Sequence, residues 1–318
     1  MPTRVFLTID TELTWRHHVA GLDAATIVER SIEPAGVGLA WQLAQLRRHD
    51  LKATFFVDPM PAMVYGLDWV KRIVHAVLDA GQEAQLHLHP NWTQARAGDG
   101  GAGHAAFAMA EYSLAEQVEL IAAASDMLTA AGAPEPVAFR AGSYAASDDT
   151  LSALAELGFA YDSSHNGAEH PWPSAVGLPR ERIAPIAHRG LTEVPVTLIE
   201  DVRGHLRHFQ ICALSAGEMA AALDHAMRER HAAVTIVGHS FELANRAGTR
   251  ANAVHAGRFT QLCSMLDERR LHLETCHFAD RPVLALDQDD RPLAPSVIRT
   301  SLRRAEQLWS NLVEERAA

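Results

Sequence analysis

The stretch Gln85-Leu86-His87-Leu88-His89-Pro90-Asn91-Trp92 sets two histidines one residue apart inside a short apolar run. A strand projects residues i and i+2 from one face. Two imidazoles about 7 Å apart at the backbone can then converge on one borderline cation such as zinc. Pro90 cannot donate to a ladder, so the strand is expected to end there. That leaves the pair at a carboxyl strand end, where parallel α/β folds build their sites. With 18 histidines in the chain, one such pair carries little weight by itself, and the other strand ends have to decide.

Three of them carry similar chemistry. Val5-Phe6-Leu7-Thr8-Ile9 is a continuous apolar run that stops abruptly at Asp10-Thr11-Glu12. Val137-Ala138-Phe139 delivers Arg140, and Val234-Thr235-Ile236-Val237-Gly238 presents His239-Ser240-Phe241-Glu242. An acid after a strand is often only a turn residue. Structural residues would be spread over both ends of a sheet, however, whereas catalytic ones gather at the carboxyl ends. One carboxylate with two imidazoles is a common catalytic zinc set that leaves positions open for water and substrate. Glu12 or Asp10, with His87 and His89, supplies it.

The elements needed to hold these residues follow from periodicity. Residues from about Ala24 to Arg48 read as helical with a break near Pro34. Lys52–Val57 is a strand closed by Asp58-Pro59, and Leu67–Ala80 is an amphipathic helix stopped by Gly81. Strand and helix thus alternate, which predicts right-handed crossovers and a parallel sheet. Ser113 and Glu116 form a capping box for a helix to about Ala131, and Ser215 and Glu218 form another for a helix to about Arg230. Gly98–Gly103 lacks the ending of a phosphate loop and reads as a mobile surface loop. His165–Arg189 reads as a long surface connection, and Glu193–Thr197 as a further extended piece. His17 and His18 are expected in a surface loop, while His165, His170 and Trp172 are candidates for substrate contact.

At 318 residues and 48% hydrophobic, the chain can bury one large core, and a single domain is expected. Residues 1–281 would form it; a linker from about 282 and an amphipathic helix over Val297–Val313 would follow. Leu302, Leu308, Trp309 and Leu312 of that helix are expected to pack on the barrel or on a second copy of the chain, which would make a homo-oligomer. A formal net charge of -11 without a long basic run argues against nucleic acid. Three scattered cysteines make no disulfide framework, and no apolar stretch reads as a signal core or membrane span. The expectation is a cytoplasmic protein with neither nucleic-acid nor membrane partners.

Jointly, these residues resemble the polysaccharide deacetylase, or NodB-homology, family of carbohydrate esterases. Leu7-Thr8-Ile9-Asp10-Thr11-Glu12 is similar to its Thr-Phe-Asp-Asp-Gly motif, and Ala53–Phe56 to its Ala-Thr-Phe-Phe strand. His87, His89 and Asn91 stand in the region of its His-x-x-x-His motif. Phe139-Arg140-Ala141-Gly142, Tyr161–Ser164 and Gly238–Glu242 follow in the family's order. Two departures are visible. Thr11 stands where the family places a metal-binding aspartate, which passes that role to Glu12 or to Asp10. The compressed His-x-His makes Asn91 a rival to His89.

The resemblance implies a distorted (β/α) barrel of seven strands that hydrolyses amides with a divalent ion, zinc first and cobalt, nickel or manganese as alternatives. Glu12, His87 and His89 would be the ligands. Asp10, oriented by Arg140, would be the base and His239 the acid, and the substrate would be an N-acylated sugar or related amide. Two other functions fit the same residues: cleavage of another C–N bond in a small cytosolic metabolite, and sugar or metal binding without catalysis.

Overall fold

The computed structural model describes residues 2–315. Its organising strand is β1 (Thr3–Thr11), which is fully or nearly fully buried over most of its length. On one side it pairs in parallel with β10 (Ala233–His239), from Arg4 opposite Ala233 to Asp10 opposite His239. On the other, its upper half pairs with β2 (Thr54–Val57) and its lower half with β11 (Leu273–Thr275). The sheet continues through β3 (Glu83–Leu88), β4 (Ala138–Ala141) and β5 (Tyr161–Asp162), all parallel, to β7 (Leu191–Glu193). Only β6 (Ile186–His188) joins antiparallel, at the far edge.

Between β5 and β10 the curled sheet is spanned by irregular chain. Val194 donates to the Asp162 carbonyl at 2.8 Å, Val196 to His165 at 2.9 Å and Thr197 to Thr235 at 3.1 Å. The expected Glu193–Thr197 strand is thus shortened to a piece ending at Glu193, with a proline-interrupted bridge behind it. The result is the distorted (β/α) barrel expected, as a curled parallel half-barrel in one domain.

The helices lie outside this sheet: α1 (Trp15–Val19), α2 (Ala24–Ile32), α3 (Leu39–Arg48), α4 (Ala62–Tyr65), α5 (Asp68–Asp79), α6 (Leu114–Ala130), α7 (Asp148–Glu156), α8 (Ala216–Glu229), α9 (Ala253–Glu268) and α10 (Val297–Trp309). Both capping boxes form, at Ser113 and Ser215. The α2–α3 break falls at Pro34, and α5 runs out before Gly81, whose φ of +72° suits a residue without a side chain.

Period-two alternation sorts each strand. Val5, Leu7, Ile9, Leu86, Leu88 and Phe139 face the helical layer in the main core. Phe6, Ala138 and Ala233 face inward, against Phe56, Tyr161, Val194 and Phe278. Thr8 and Asp10 continue the inward row of Phe6, Arg140 that of Ala138, and Thr235, Val237 and His239 that of Ala233. The functional candidates therefore share the inner face because the apolar residues between them must meet the helices.

Two features differ from expectation. A hairpin of β8 (Leu198–Val202) and β9 (His205–His208) fills a stretch with no assigned structure, turning at Gly204 with φ +79°. Helix α10 docks through its polar side, not its apolar one. Buried Arg303 donates to Glu218 at 3.0 Å and Asp201 at 2.7 Å, Thr300 to the Asp201 carbonyl at 2.7 Å, and Arg258 to Glu306 at 2.7 Å. Leu302, Leu308, Trp309 and Leu312 point outward, each at least half exposed. The expected packing of these four on the barrel is thus overturned: buried charged pairs set the docking face. No helix among the described residues is long and apolar enough to cross a membrane.

Candidate metal centre and catalytic cleft

His87 is the last inward residue of β3, opposite Arg140 in the β3–β4 register. Its Nδ1 donates to the Arg140 carbonyl at 2.8 Å, which turns Nε2 towards Glu12 Oε2, 3.0 Å away. His89, just past the strand end, brings its Nε2 against the same oxygen. The rings stand 5.0 Å apart at 79°, and the ligand atoms of Glu12, His87 and His89 all lie within 4.8 Å of one another. Of the two carboxylates left open by the sequence, Glu12 is the one that faces the histidine pair.

These atoms fit a divalent cation. With Nδ1 of His87 spent on a carbonyl, its neutral Nε2 carries a lone pair aimed at a carboxylate, an arrangement that needs a positive charge between them. His89 Nε2 is buried without a hydrogen bond of acceptable geometry. Donor atoms around a tetrahedral zinc stand roughly 3.3 Å apart, close to the His87–Glu12 separation. Although burial opposes its charge, Glu12 raises the pKa of His89 to about 9. Burial likewise opposes ionisation of Glu12, but His89 and His87 hold its carboxyl well below the ordinary range.

Asp10 occupies a separate position. Its Oδ1 accepts from Arg140 at 2.9 Å, and its Oδ2 lies 3.7 Å from His239 Nε2. Arg140 is fully buried. Its guanidinium also donates to Thr8 Oγ1 at 2.7 Å, to the Ser163 carbonyl and to Ser163 Oγ, and it lies 4.6 Å over the Phe56 ring. The Tyr161–Ser164 stretch supports it from behind: Ser164 Oγ accepts from the Ala141 N–H and donates to Asp162.

His239 Nδ1 stands 3.3 Å from Glu242 Oε2, to which Gln210 also donates at 2.8 Å. Burial opposes the charge of His239, but the Glu242 hydrogen bond and the charges of Glu242, Asp10 and Glu12 raise its pKa to about 9. These neighbours favour its charged form, and Glu242 positions it.

A cavity of about 360 Å³ opens beside Glu12 and His89, lined also by Asn91, Trp15, Trp92, Phe107, Ser143 and Phe241 among others. Trp15 packs edge-on against Trp92 at 4.8 Å and Phe107 at 5.7 Å. Asn91 reaches this cavity with its buried side-chain oxygen unpartnered. Ser143 and Tyr144 both have left-handed backbones, φ 54° and 59°. Strained backbones of this kind cluster at functional sites, and Ser143 lines the cavity.

His17 and His18 are buried in α1, contrary to the loop expected. His18 packs on Trp15 and bonds Tyr65 at 2.6 Å, so it supports the aromatic wall without lining the cavity. It also meets Asp99, which accepts from Gly101 and Gly103 and so organises the 98–103 loop. His165 is fully buried against the Pro179 carbonyl, and neither it nor His170 nor Trp172 lines the cavity.

Sequence reasoning missed Gln210, Tyr144 and Asp58 as parts of the site, and placed Thr8 and Ser163 in motif stretches without giving them a role. Asp58 is fully buried, with one oxygen accepting from Met60 N and the other unpartnered. Burial raises its pKa to about 6 against the pull of His89 and His87. Its position at the carboxyl end of β2 was the available signal.

No protein-family model and no curated protein matches the chain. Solved structures do. A candidate polysaccharide deacetylase from Mycobacterium smegmatis is 17% identical, over 96% of this chain and 91% of its own, with a TM-score of 0.54. The 4-alpha-glucanotransferase from Thermococcus litoralis is 10% identical over 90% of this chain, with a TM-score of 0.56; the chain spans 41% of that protein. At such identities the likeness is one of fold, and it agrees with the strand order and the curled sheet described above. The chain has the NodB-like fold of the polysaccharide deacetylases.

Proposed function

We propose that the protein is a metal-dependent hydrolase that removes an acyl group, acetyl first among them, from the nitrogen of an N-acylated sugar or a closely related amide. The observation that carries this reading is the gathering of two sets at the carboxyl ends of the parallel strands: Glu12, His87 and His89, whose ligand atoms converge, and Asp10 with His239, 3.7 Å apart. The Mycobacterium smegmatis neighbour bears the deacetylase name and the Thermococcus litoralis neighbour acts on glucans.

A divalent ion held by Glu12, His87 and His89 would polarise the scissile carbonyl and acidify water towards pKa about 7. Asp10, its carboxylate fixed by Arg140, takes the proton of the attacking water; acid–base help of this kind contributes about 10²- to 10⁴-fold. The Ser143–Tyr144 turn offers N–H groups to the developing oxyanion. His239 then gives its proton to the departing amine, which would otherwise leave as an unstable anion. Trp15, Trp92 and Phe107 supply an apolar wall of the kind that lines sites for sugars and other small ligands.

Acetate release from N-acetylated mono- and oligosaccharides, measured with and without chelator, tests the reading. We expect turnover that chelation abolishes and that Asp10→Asn lowers by at least 10²-fold. Unchanged turnover in Asp10→Asn would remove the base. Sugar binding with metal bound and no release from any amide would favour a binding protein instead. The cavity of about 360 Å³ is at the small end for ligand sites and also suits a small metabolite; preferential cleavage of small formamides or cyclic amides would move the substrate to that class.

A further inference from the structure

A second cavity, about 620 Å³, adjoins the first and shares Arg16 and Phe241 with it. Arg246 lines it from the loop after β10, and Gln307 and Asn311 line it from the tail. Among the described residues, neither the Arg16 nor the Arg246 guanidinium makes a hydrogen bond or ion pair, whereas Arg140, Arg258 and Arg303 are all engaged with acids. Two carboxylates, Glu242 and Glu315, line the same cavity, and both spend their hydrogen bonds on other groups. Glu315 spends one oxygen on the Arg246 backbone N–H at 2.9 Å and the other on the Asn252 amide at 3.1 Å.

Glu242, also on this wall, is committed to Gln210 and the His239 ring. Arg16 is held in place by the face of Phe241, 5.4 Å from its guanidinium carbon. Burial first, and then the charge of Arg246, lowers the pKa of Arg16 against the opposing pull of Glu315 and Glu12. Arg16 and Arg246 are both exposed, and two guanidiniums without acid partners lining one space beside a cleft can receive a planar or tetrahedral oxyanion.

We propose that Arg16 and Arg246 form an anion subsite, so that the substrate is an acylated amino sugar bearing a carboxylate or phosphate that rests in this second cavity. The proposal deepens the hydrolase reading and rests on it for the acylamino end of the ligand. The acyl nitrogen sits at the cleft under Glu12 and His239, and the anion lies past Phe241, between the two arginines. The tail helix, through Gln307 and Asn311, completes the wall of the subsite.

The test is calorimetric binding to the full, zinc-supplemented chain of three probes: N-acetylglucosamine, its 6-phosphate and its 6-carboxylate. At least one anionic probe is expected to bind tenfold or more tightly than the neutral sugar, with the preference shrinking between 50 and 500 mM salt. A phosphate preference identifies a sugar phosphate and a carboxylate preference a uronate. Arg16→Gln with Arg246→Gln is expected to bring the anionic-to-neutral affinity ratio to about one, with the circular dichroism of the folded chain retained. Equal affinities, binding of none of the three, or a preference that survives the double substitution would overturn the subsite. Acetate release followed on the same samples separates the two readings. Anion preference without hydrolysis of any probe would leave the subsite and remove the hydrolase, and hydrolysis without preference would do the reverse.

Discussion

Gly142→Ala is a one-carbon perturbation aimed at the metal centre from behind. A Cβ at this position would lie 2.4 Å from His89 Nδ1 and Cε1 and 2.5 Å from Cγ. Ordinary contact is about 3.5 Å or more, so the ring must retreat by roughly 1 Å. The backbone itself accepts alanine, since Gly142 has no positive φ. His89 is the partner able to give way, because its side chain borders the cavity and is 18% exposed. A ligand displaced by about 1 Å falls outside the tolerance of about 0.2 Å that metal coordination allows.

Crowding of this size costs about 1–3 kcal/mol, and loss of ligand support about 10- to 100-fold in affinity. We therefore expect zinc affinity, measured by competition with a chromophoric chelator, to fall about 10- to 100-fold, with the metal-free chain less stable by no more than the crowding cost of about 1–3 kcal/mol. In the His89→Ala background, which removes the ring, adding Gly142→Ala should have almost no further effect, a strong non-additivity. Zinc affinity within twofold of the wild type in Gly142→Ala would refute the placement of His89 as a ligand packed on this glycine.

Other substitutions probe different parts of the cleft. If His239 is the acid, the alkaline limb of kcat/KM follows its pKa of about 9, with activity present below it and lost above; Glu242→Gln removes the charge and weakens the hydrogen bond that raise that pKa, and should move the limb to lower pH in a rate–pH profile. An unmoved limb would remove Glu242 as its positioning partner. Asp162 and Glu193 form a buried, hydrogen-bonded carboxyl pair in which burial, then the neighbouring charge, raises Glu193 well above the ordinary range. A raised folded-state pKa means that the stabilisation is complete below the unfolded value of about 4.3 and declines as pH rises through the folded one. Glu193→Gln keeps a donor between the two side chains, so its urea-unfolding stability should decline less between pH 5 and 9 than the wild type's. Glu193→Ala leaves the His165 N–H and Asp162 without that partner and should cost about 2–4 kcal/mol. Arg140→Lys cannot reproduce the fork that spans Asp10, Thr8 and Ser163; turnover should fall by at least tenfold with zinc content unchanged.

The parallel strands were legible because each is an apolar run cut short by a polar residue, and alternation then sent Asp10, His87, Arg140 and His239 to one inner face. Less was legible where tertiary partners decide. Amphipathicity located helix α10 but not its docking side, since the pull of Arg303 towards Asp201 and Glu218 comes from distant elements. The β8–β9 hairpin has only a glycine turn and weak alternation to announce it. His17 and His18 read as polar loop residues, yet an aromatic wall encloses His18. Asp58, Thr8, Ser163 and Gln210 are ordinary residue types at ordinary positions, and only the convergence of the strand ends gives them a role. The same holds for Gly142, whose importance lies in the ring pressed against it.

Metal content of the purified chain, determined by plasma mass spectrometry after equilibration with zinc, bears most directly on the centre. One equivalent should be present in the wild type and in Asp10→Asn, and should be lost in Glu12→Ala, His87→Ala and His89→Ala. A full equivalent retained in His87→Ala, or none in the wild type, would contradict it.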